Sequence, residues 1–449
     1  LVLTGADGKR NYPQASTVDG TCDWTRRTLS LTIPADVRKA ELALGLENVC
    51  GIAEFRNIRI EKALPAGDYS RTVVTGRCGR DDALYAPGET MKFCFDILDG
   101  GKKVSGRLRV LFSGDDGSRE EKEFDVPDDK PLEVTASLDA PGYMMVRAAL
   151  LTPQGAVINR RDDRGVMRPL QYGLAAAVEP DKLRQGKPEP ADFDEFWRKC
   201  RRELDRVPVK VLERKLFNTT EHCHIYDVKI AAPGPRPTVG YLAIPREAAA
   251  KSLPIDIRFD GYAVHAIRPV ERRDAIVFFV NAHGIENNRE PEYYRQLADK
   301  ELYAYGFREE ENEDPDTCYF KYMILRDLRA VAYAMSLPEW NGGEILVSGG
   351  SQGAFRAAAV AALTPQATRC ELQIPWFCDL GGAGLGRTRG WRPVWKRGLG
   401  YYDTVNFARR IQCPVEISAG LSDWICPPSG VQILYNNLTV PKRMVMYQG

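Results

Sequence analysis

Ser351 stands in Gly349-Gly350-Ser351-Gln352-Gly353, a G-x-S-x-G run. The pattern alone is common, and its setting gives it weight: apolar residues 345–348 lead in and the Ala-rich residues 354–363 lead out. A strand that turns sharply into a helix holds a serine hydroxyl at the edge of a sheet, with the helix N-terminus beneath it favouring developing negative charge. The chemistry such a serine performs is nucleophilic acyl transfer, with the backbone N–H of Gln352 as one donor to the oxyanion. The competing reading is a glycine-rich turn whose serine only caps a helix; the strand before and the helix after favour the elbow. On this kind of elbow the partners follow in the order Ser, then Asp or Glu, then His. Asp423, in Gly420-Leu421-Ser422-Asp423, lies just past a predicted strand at 415–419, where the acid belongs. Otherwise it is a surface-turn aspartate.

The elements that would position these residues begin after Pro180. Short apolar runs at 239–244, 255–259, 275–281, 344–348, 371–374, 415–419 and 443–447 predict strands, and 322–336 and 354–363 predict helices between some of them. This alternation implies a mostly parallel sheet covered by helices on both faces. A Gly/Pro-rich linker at 185–191 and an amphipathic helix at 192–204, with Phe193, Phe196 and Trp197 on its apolar side, precede it. Residues 1–175 read instead as β-structure, with alternating runs at 28–33, 41–46, 54–60, 91–98, 107–112, 132–138 and 143–151 and a hairpin-type turn at Asp99-Gly100-Gly101. Phe55 and Ile58 are expected in the core. The expected fold class is multidomain: β-sandwich modules followed by a doubly wound α/β domain. The expected divisions are 1–66, a partial sandwich; 67–179, an immunoglobulin-like sandwich; and 180–449, the α/β domain. The chain starts at Leu1 and stops at Gly449, straight after the last predicted strand, so both terminal domains are expected to be truncated.

The chain has 449 residues, with 62 Lys+Arg against 61 Asp+Glu, a net charge of +1, and is 44% hydrophobic. That composition excludes a disordered chain, a collagen-like fibre and a disulfide mini-scaffold. Near-neutral charge argues against a nucleic-acid partner. No apolar run reaches the ~18 residues of a membrane-spanning helix. The 11 cysteines form no C-x-x-C pair, and their odd number at scattered spacings is neither a zinc ribbon nor a disulfide framework. No metal site is expected.

Four separated motifs agree in order with one family. They are the helix at 193–197; Gly350-Ser351-Gln352-Gly353; Tyr401-Tyr402-Asp403-x-x-Asn406-Phe407-Ala408; and Gly420-Leu421-x-Asp423-x-x-Cys426-Pro427-Pro428-Ser429 after Cys413-Pro414-Val415. Over about residues 180–449 the chain resembles the acetyl xylan esterase and cephalosporin C deacetylase family, carbohydrate esterase family seven. The resemblance implies an α/β-hydrolase domain with Ser351 as nucleophile, Asp423 as acid and no cofactor. It also implies a second oxyanion donor beside Gln352, the backbone of Tyr262 in Gly261-Tyr262 after the strand at 255–259. Family members carry His-Gly-Tyr there, whereas this chain has Asp260-Gly261-Tyr262. The family places its histidine shortly after the last strand, so the catalytic histidine is expected beyond residue 449. Of the four histidines present, His222 and His224 lie two apart on a predicted strand and read as structural. His265, in the loop after Tyr262, and His283, closing the strand at 275–281, are candidates for substrate binding or support. Both precede Ser351 and so break the triad order.

Trp376, Trp391, Trp395, Tyr401, Tyr402 and Trp424 gather around these motifs in sequence. Aromatic faces suit the C–H faces of sugar rings, although two or three of these rings belong to the core. Trp376 and Trp424 are taken as substrate-binding. Arg387, Arg389 and Arg392 either solvate a Gly-rich loop or meet acidic substituents. The expected function is a serine esterase that removes O-acetyl groups from xylan-type or related acetylated oligo- and polysaccharides through an acetyl-serine. Two rivals stand beside it. One is a carbohydrate-binding protein whose α/β domain has lost its base. The other is a prolyl-oligopeptidase-like peptidase, in which an aromatic residue follows the serine where Gln352 stands here. Family members form hexamers, but extra N-terminal modules would obstruct that packing, which leaves a homo-oligomer of another kind open. Appended β-sandwiches favour a secreted or periplasmic location.

Overall fold

The computed structural model describes residues 1–13, 33, 36–45, 52–58, 68–163 and 165–448. They divide into two compact units, one over Leu1–Glu179 that also takes in Gln448, the other over Pro180–Tyr447.

In the first unit Val2–Gly5 pairs antiparallel with Arg10–Asn11 and with Val37–Glu41. The strand expected at 41–46 therefore ends where it was to begin. All of the strand expected at 28–33 except Ile33 lies outside the described residues, as does the expected boundary at 66/67. Residues 52–58 carry no strand. Phe55 and Ile58, expected in the core, are exposed, because no described strand pairs over them. Beyond residue 70 the alternating runs form two sheets. Leu132–Ala136, Met91–Asp99 and Thr72–Cys78 lie side by side in one; Leu84–Tyr85, Gln171–Val178, Gly142–Leu150, Gly106–Gly114 and Arg119–Val126 in the other. Period-two alternation sends Phe93, Phe95 and Ile97 of the first and Leu108, Val110, Val146 and Leu174 of the second inward, each at most 2% exposed. Thr72–Cys78 packs against Gln171–Val178.

The second unit opens with α1 (Phe193–Asp205), which buries Phe193, Phe196, Trp197, Cys200 and Leu204 along one stripe. Nine strands follow: β1 (Val211–Thr219), β2 (Cys223–Ile230), β3 (Thr238–Pro245), β4 (Leu253–Phe259), β5 (Ile276–Val280), β6 (Trp340–Gly350), β7 (Arg369–Gln373), β8 (Val415–Gly420) and β9 (Lys442–Tyr447). They form one sheet in the order β1-β2-β3-β5-β4-β6-β7-β8-β9. The β1/β2, β2/β3 and β3/β5 pairs are antiparallel. Every pair from β5/β4 to β8/β9 is parallel. The chain leaves β4 toward one side of the sheet for β5 and returns to its other side for β6. The crevice beyond strand ends at such a reversal is where open α/β sheets place their ligands.

Two helices carry the centre of the sheet. From α2 (Pro291–Asp299) the chain runs through a loop into α3 (Phe320–Ala334), and α4 (Gln352–Leu363) follows β6 directly. Residues Gln352–Ala361 of α4 are all buried, and their many alanines let the helix lie close on the sheet. Arg356 of α4 reaches Asp327 of α3 with two hydrogen bonds of 2.9 and 2.6 Å, both side chains fully buried. The same guanidinium donates to the Val280 carbonyl at the end of β5. This desolvated pair ties α3, α4 and β5 into one base beneath the strand ends.

Candidate active site

Ser351 follows β6 with φ 55° and ψ −118°, a left-handed φ that a residue with a Cβ adopts only under constraint. Its N–H donates to the Gln373 carbonyl at the end of β7 (2.9 Å), and its own carbonyl accepts from Ala354, Phe355 and Trp376. The flanking glycines are steric requirements. A Cβ on Gly349 would overlap the Gly353 backbone, and one on Gly353 would overlap the Phe259 carbonyl, whereas Gly350 has room. The two fixed glycines of G-x-S-x-G thus let α4 pass against the ends of β4 and β6.

Phe259 of β4 is in register with Gly349 of β6, so the loops leaving both strands emerge together. A Cβ built on Gly261 would stand 4.0 Å from Ser351 Cβ. The Gly261 N–H is taken by Asp260 Oδ1 at 2.8 Å, which leaves the Tyr262 N–H as the next donor in this loop. Gln352 is the first residue of α4, and its N–H has no acceptor within the helix. The Gly261–Tyr262 loop and the start of α4 thus meet at Ser351 from different elements.

A residue that the sequence reading missed joins them. Tyr305 stacks on Tyr262 (centroids 4.1 Å apart, planes within 8°) and accepts the Tyr262 hydroxyl at its carbonyl, 3.0 Å away. Its own hydroxyl donates to Gln352 Oε1 at 3.2 Å. His283, expected at the substrate, is buried instead. Its Nε2 lies 2.9 Å from the Ala263 carbonyl and its Nδ1 2.7 Å from the Tyr319 hydroxyl. Burial lowers its pKa to about 3, so it is neutral, donating from Nε2 and accepting at Nδ1. It braces the loop that carries Tyr262. The only signal for Tyr305 was its place in a Tyr303-x-Tyr305 loop far from the elbow in sequence.

Asp423 follows β8. Its Oδ1 accepts the N–H groups of Ile425 (2.8 Å) and Cys426 (2.9 Å), an arrangement that fixes the carboxyl and leaves Oδ2 to orient a base. Burial pushes its pKa above the ordinary carboxylate range against the pull of those two donors. Cys426 Sγ lies 4.0 Å from Ser351 Oγ, which brings the Asp423 loop to Ser351. Burial and the Asp423 charge push the Cys426 thiol up to about 12, so it stays protonated beside the serine. The four histidines are engaged elsewhere: His222 with Arg273, His224 with Thr219, His265 with Asp260 and His283 as above.

The aromatic residues separate by burial. Trp376 is 1% exposed and donates its indole N–H to the Trp391 carbonyl, so its ring packs in the core against Tyr262 and Phe320 and is closed to substrate. Tyr401 and Tyr402 pack on α1. Trp424 is 49% exposed beside Asp423. Arg392 does not solvate a loop, being buried with Nη1 on the Cys378 carbonyl, and Arg387 is paired with Asp379 at 2.6 Å.

With this geometry in hand, the chain was compared with known proteins. Its sequence matches the acetyl xylan esterase (AXE1) family over residues 178–383 and 394–449. It is 30% identical over 293 residues to the acetyl esterase Axe7A of Xylanibacter ruminicola, covering 62% of this chain and 66% of that relative's length. An acetyl xylan esterase from Paenibacillus sp. R4 superposes with a TM-score of 0.50 at 22% identity, over 60% of this chain and 92% of that one. Acetyl xylan esterase 1 from Thermoanaerobacterium sp. JW/SL YS485 gives 0.47 at 23% identity, over 60% and 90%. The second unit has the α/β-hydrolase fold of the Paenibacillus esterase, and the chain belongs to the acetyl xylan esterase family.

Proposed function

We propose that the protein is a serine carboxylic-ester hydrolase that removes O-acetyl groups from acetylated saccharides of the xylan type. The observation that carries this reading is Ser351 held at left-handed φ where the Gly261 backbone and the start of α4 meet, with the Asp423 loop reaching it through Cys426. Ser351 Oγ attacks the acetyl carbonyl carbon as a histidine takes its proton. The carbonyl oxygen becomes an oxyanion facing the N–H groups of Tyr262 and Gln352. Collapse breaks the C–O bond to the sugar, whose oxygen takes the proton from the imidazolium. Water, deprotonated by the same histidine, then releases acetate and restores the hydroxyl. Asp423 Oδ2 orients that histidine. In the first unit we read the two sheets between residues 72 and 178 as an immunoglobulin-like sandwich module. Such a module suits an exported glycan enzyme.

Hydrolysis of 4-nitrophenyl acetate by the full-length protein tests the reading. Ser351→Ala is expected to lower kcat by roughly 10⁴-fold or more. Retention of more than a tenth of the wild-type rate would refute the assignment of the nucleophile.

A further inference from the structure

The family match is interrupted at residues 384–393, and this segment lies against both catalytic loops. Its burial is inverted with respect to residue type. Arg392 is 4% exposed while its neighbour Trp391 is 41% exposed, although an arginine ordinarily faces water and a tryptophan the core. The arginine anchors the segment: Nη1 donates to the Cys378 carbonyl, and the Arg392 carbonyl accepts Arg389 Nη2 at 3.2 Å. Trp391 is thereby fixed at its backbone. Its N–H donates to the Ile425 carbonyl of the acid loop at 3.0 Å, and its carbonyl accepts the Trp376 indole N–H at 2.6 Å. Its ring meets Tyr262 of the oxyanion loop edge-on, centroids 4.6 Å apart at 88°, and Phe307 at 4.9 Å. One large aromatic ring is thus clamped between the loops that carry the acid and the oxyanion donor, with part of its surface open. Ile425, 43% exposed, and Trp424 continue the apolar surface along the acid loop.

We propose that Trp391 is the platform on which the sugar ring of the ester stacks, and that segment 384–393 makes the site selective for cyclic saccharide esters over small acyclic or aryl acetates. The inference rests on Ser351 being the nucleophile. A ring held by two loops loses little freedom on binding, and its apolar face complements the C–H face of an uncharged pyranose. Contact with the sugar is remote from the bond that breaks, so it contributes to binding more than to turnover.

The test compares wild type, Trp391→Ala and Trp391→Phe of the full-length protein on acetylated xylo-oligosaccharide and on 4-nitrophenyl acetate. The alanine variant is expected to raise KM for the oligosaccharide roughly tenfold and to lower kcat/KM for the oligosaccharide several-fold more than for the aryl acetate. The phenylalanine variant should recover much of the loss. Equal losses on both substrates, or no loss on the oligosaccharide, would overturn the proposal. Titration of Ser351→Ala with xylo-oligosaccharide by tryptophan fluorescence separates this inference from the reading it rests on. Binding that Trp391→Ala weakens supports the platform even if wild type releases no acetate. Binding that is unaffected rejects the platform whatever the activity.

Discussion

At the scale of single residues, the two histidines near the site have opposite environments. His265 Nε2 is 2.6 Å from Asp260 Oδ2, and this bond raises the histidine above its ordinary value. Burial pushes Asp260 up, but the bonds from His265 and the Gly261 N–H outweigh it and hold the carboxyl below its ordinary value. The histidine's share of stability is full below its unfolded pKa of about 6.5 and is lost as pH rises through the raised folded value. The aspartate's share is present above about 3.9 and is lost as pH falls through the lowered value. The pair therefore clamps the Gly261–Tyr262 loop most fully between about 3.9 and about 6.5, and weakens as pH rises through the raised His265 value. In a histidine NMR titration His265 should titrate above about 6.5, and Asp260→Asn should return it to about that value. His283 should remain neutral down to about pH 3. A titration of His265 at or below 6.5 would show that the pair does not form. The places of Ser351, Asp423, Gln352 and Tyr262 just past strand ends were legible in sequence because each stands in a local motif beside a predicted strand. His283 and Trp376 were placed correctly along the chain and misjudged in depth. Sequence gives position along a strand end but not whether a neighbouring loop, here residues 303–307, will cover it.

At the scale of elements, the site depends on a loop that belongs to none of the catalytic strands. Tyr305 presents its carbonyl to Tyr262 and its hydroxyl to Gln352, between Ala304 and Gly306, both at left-handed φ. Tyr305→Phe keeps the stack on Tyr262 and removes only the bond to Gln352 Oε1. One such bond contributes about 0.5–1.5 kcal/mol, so kcat is expected to fall roughly 2- to 13-fold with KM nearly unchanged, since the donors act on the oxyanion. A change confined to KM would show that Tyr305 serves substrate binding instead. The alternation of short apolar runs and helices predicted the sheet from β3 onward, because strands buried on both faces read as continuous apolar segments. It missed β1 as a strand, since Val211–Thr219 is charged and largely exposed at the sheet edge and shows no apolar run.

At the scale of the whole molecule, the two units arise from two periodicities. Period-two alternation between residues 72 and 178 yields sheets with one buried face, whereas the apolar strands after residue 238 need helices on both sides. The residues before position 68 gave the weakest reading. Their runs are short, and the alternating one at 54–60 is exposed over its described residues 54–58. Trp391 was grouped with the other aromatic residues and Arg392 with a Gly-rich loop, because the burial of Arg392, which fixes Trp391, is not revealed by composition. In the proposed mechanism these parts serve a single covalent step at Ser351. Rapid quenching of the full-length protein during turnover of 4-nitrophenyl acetate, followed by peptide mass mapping, tests that step directly. The account predicts an acetyl group on the peptide that carries Ser351. Acetate release in the same experiment, with the acetyl group on another residue or with acetylation undiminished in Ser351→Ala, would contradict it.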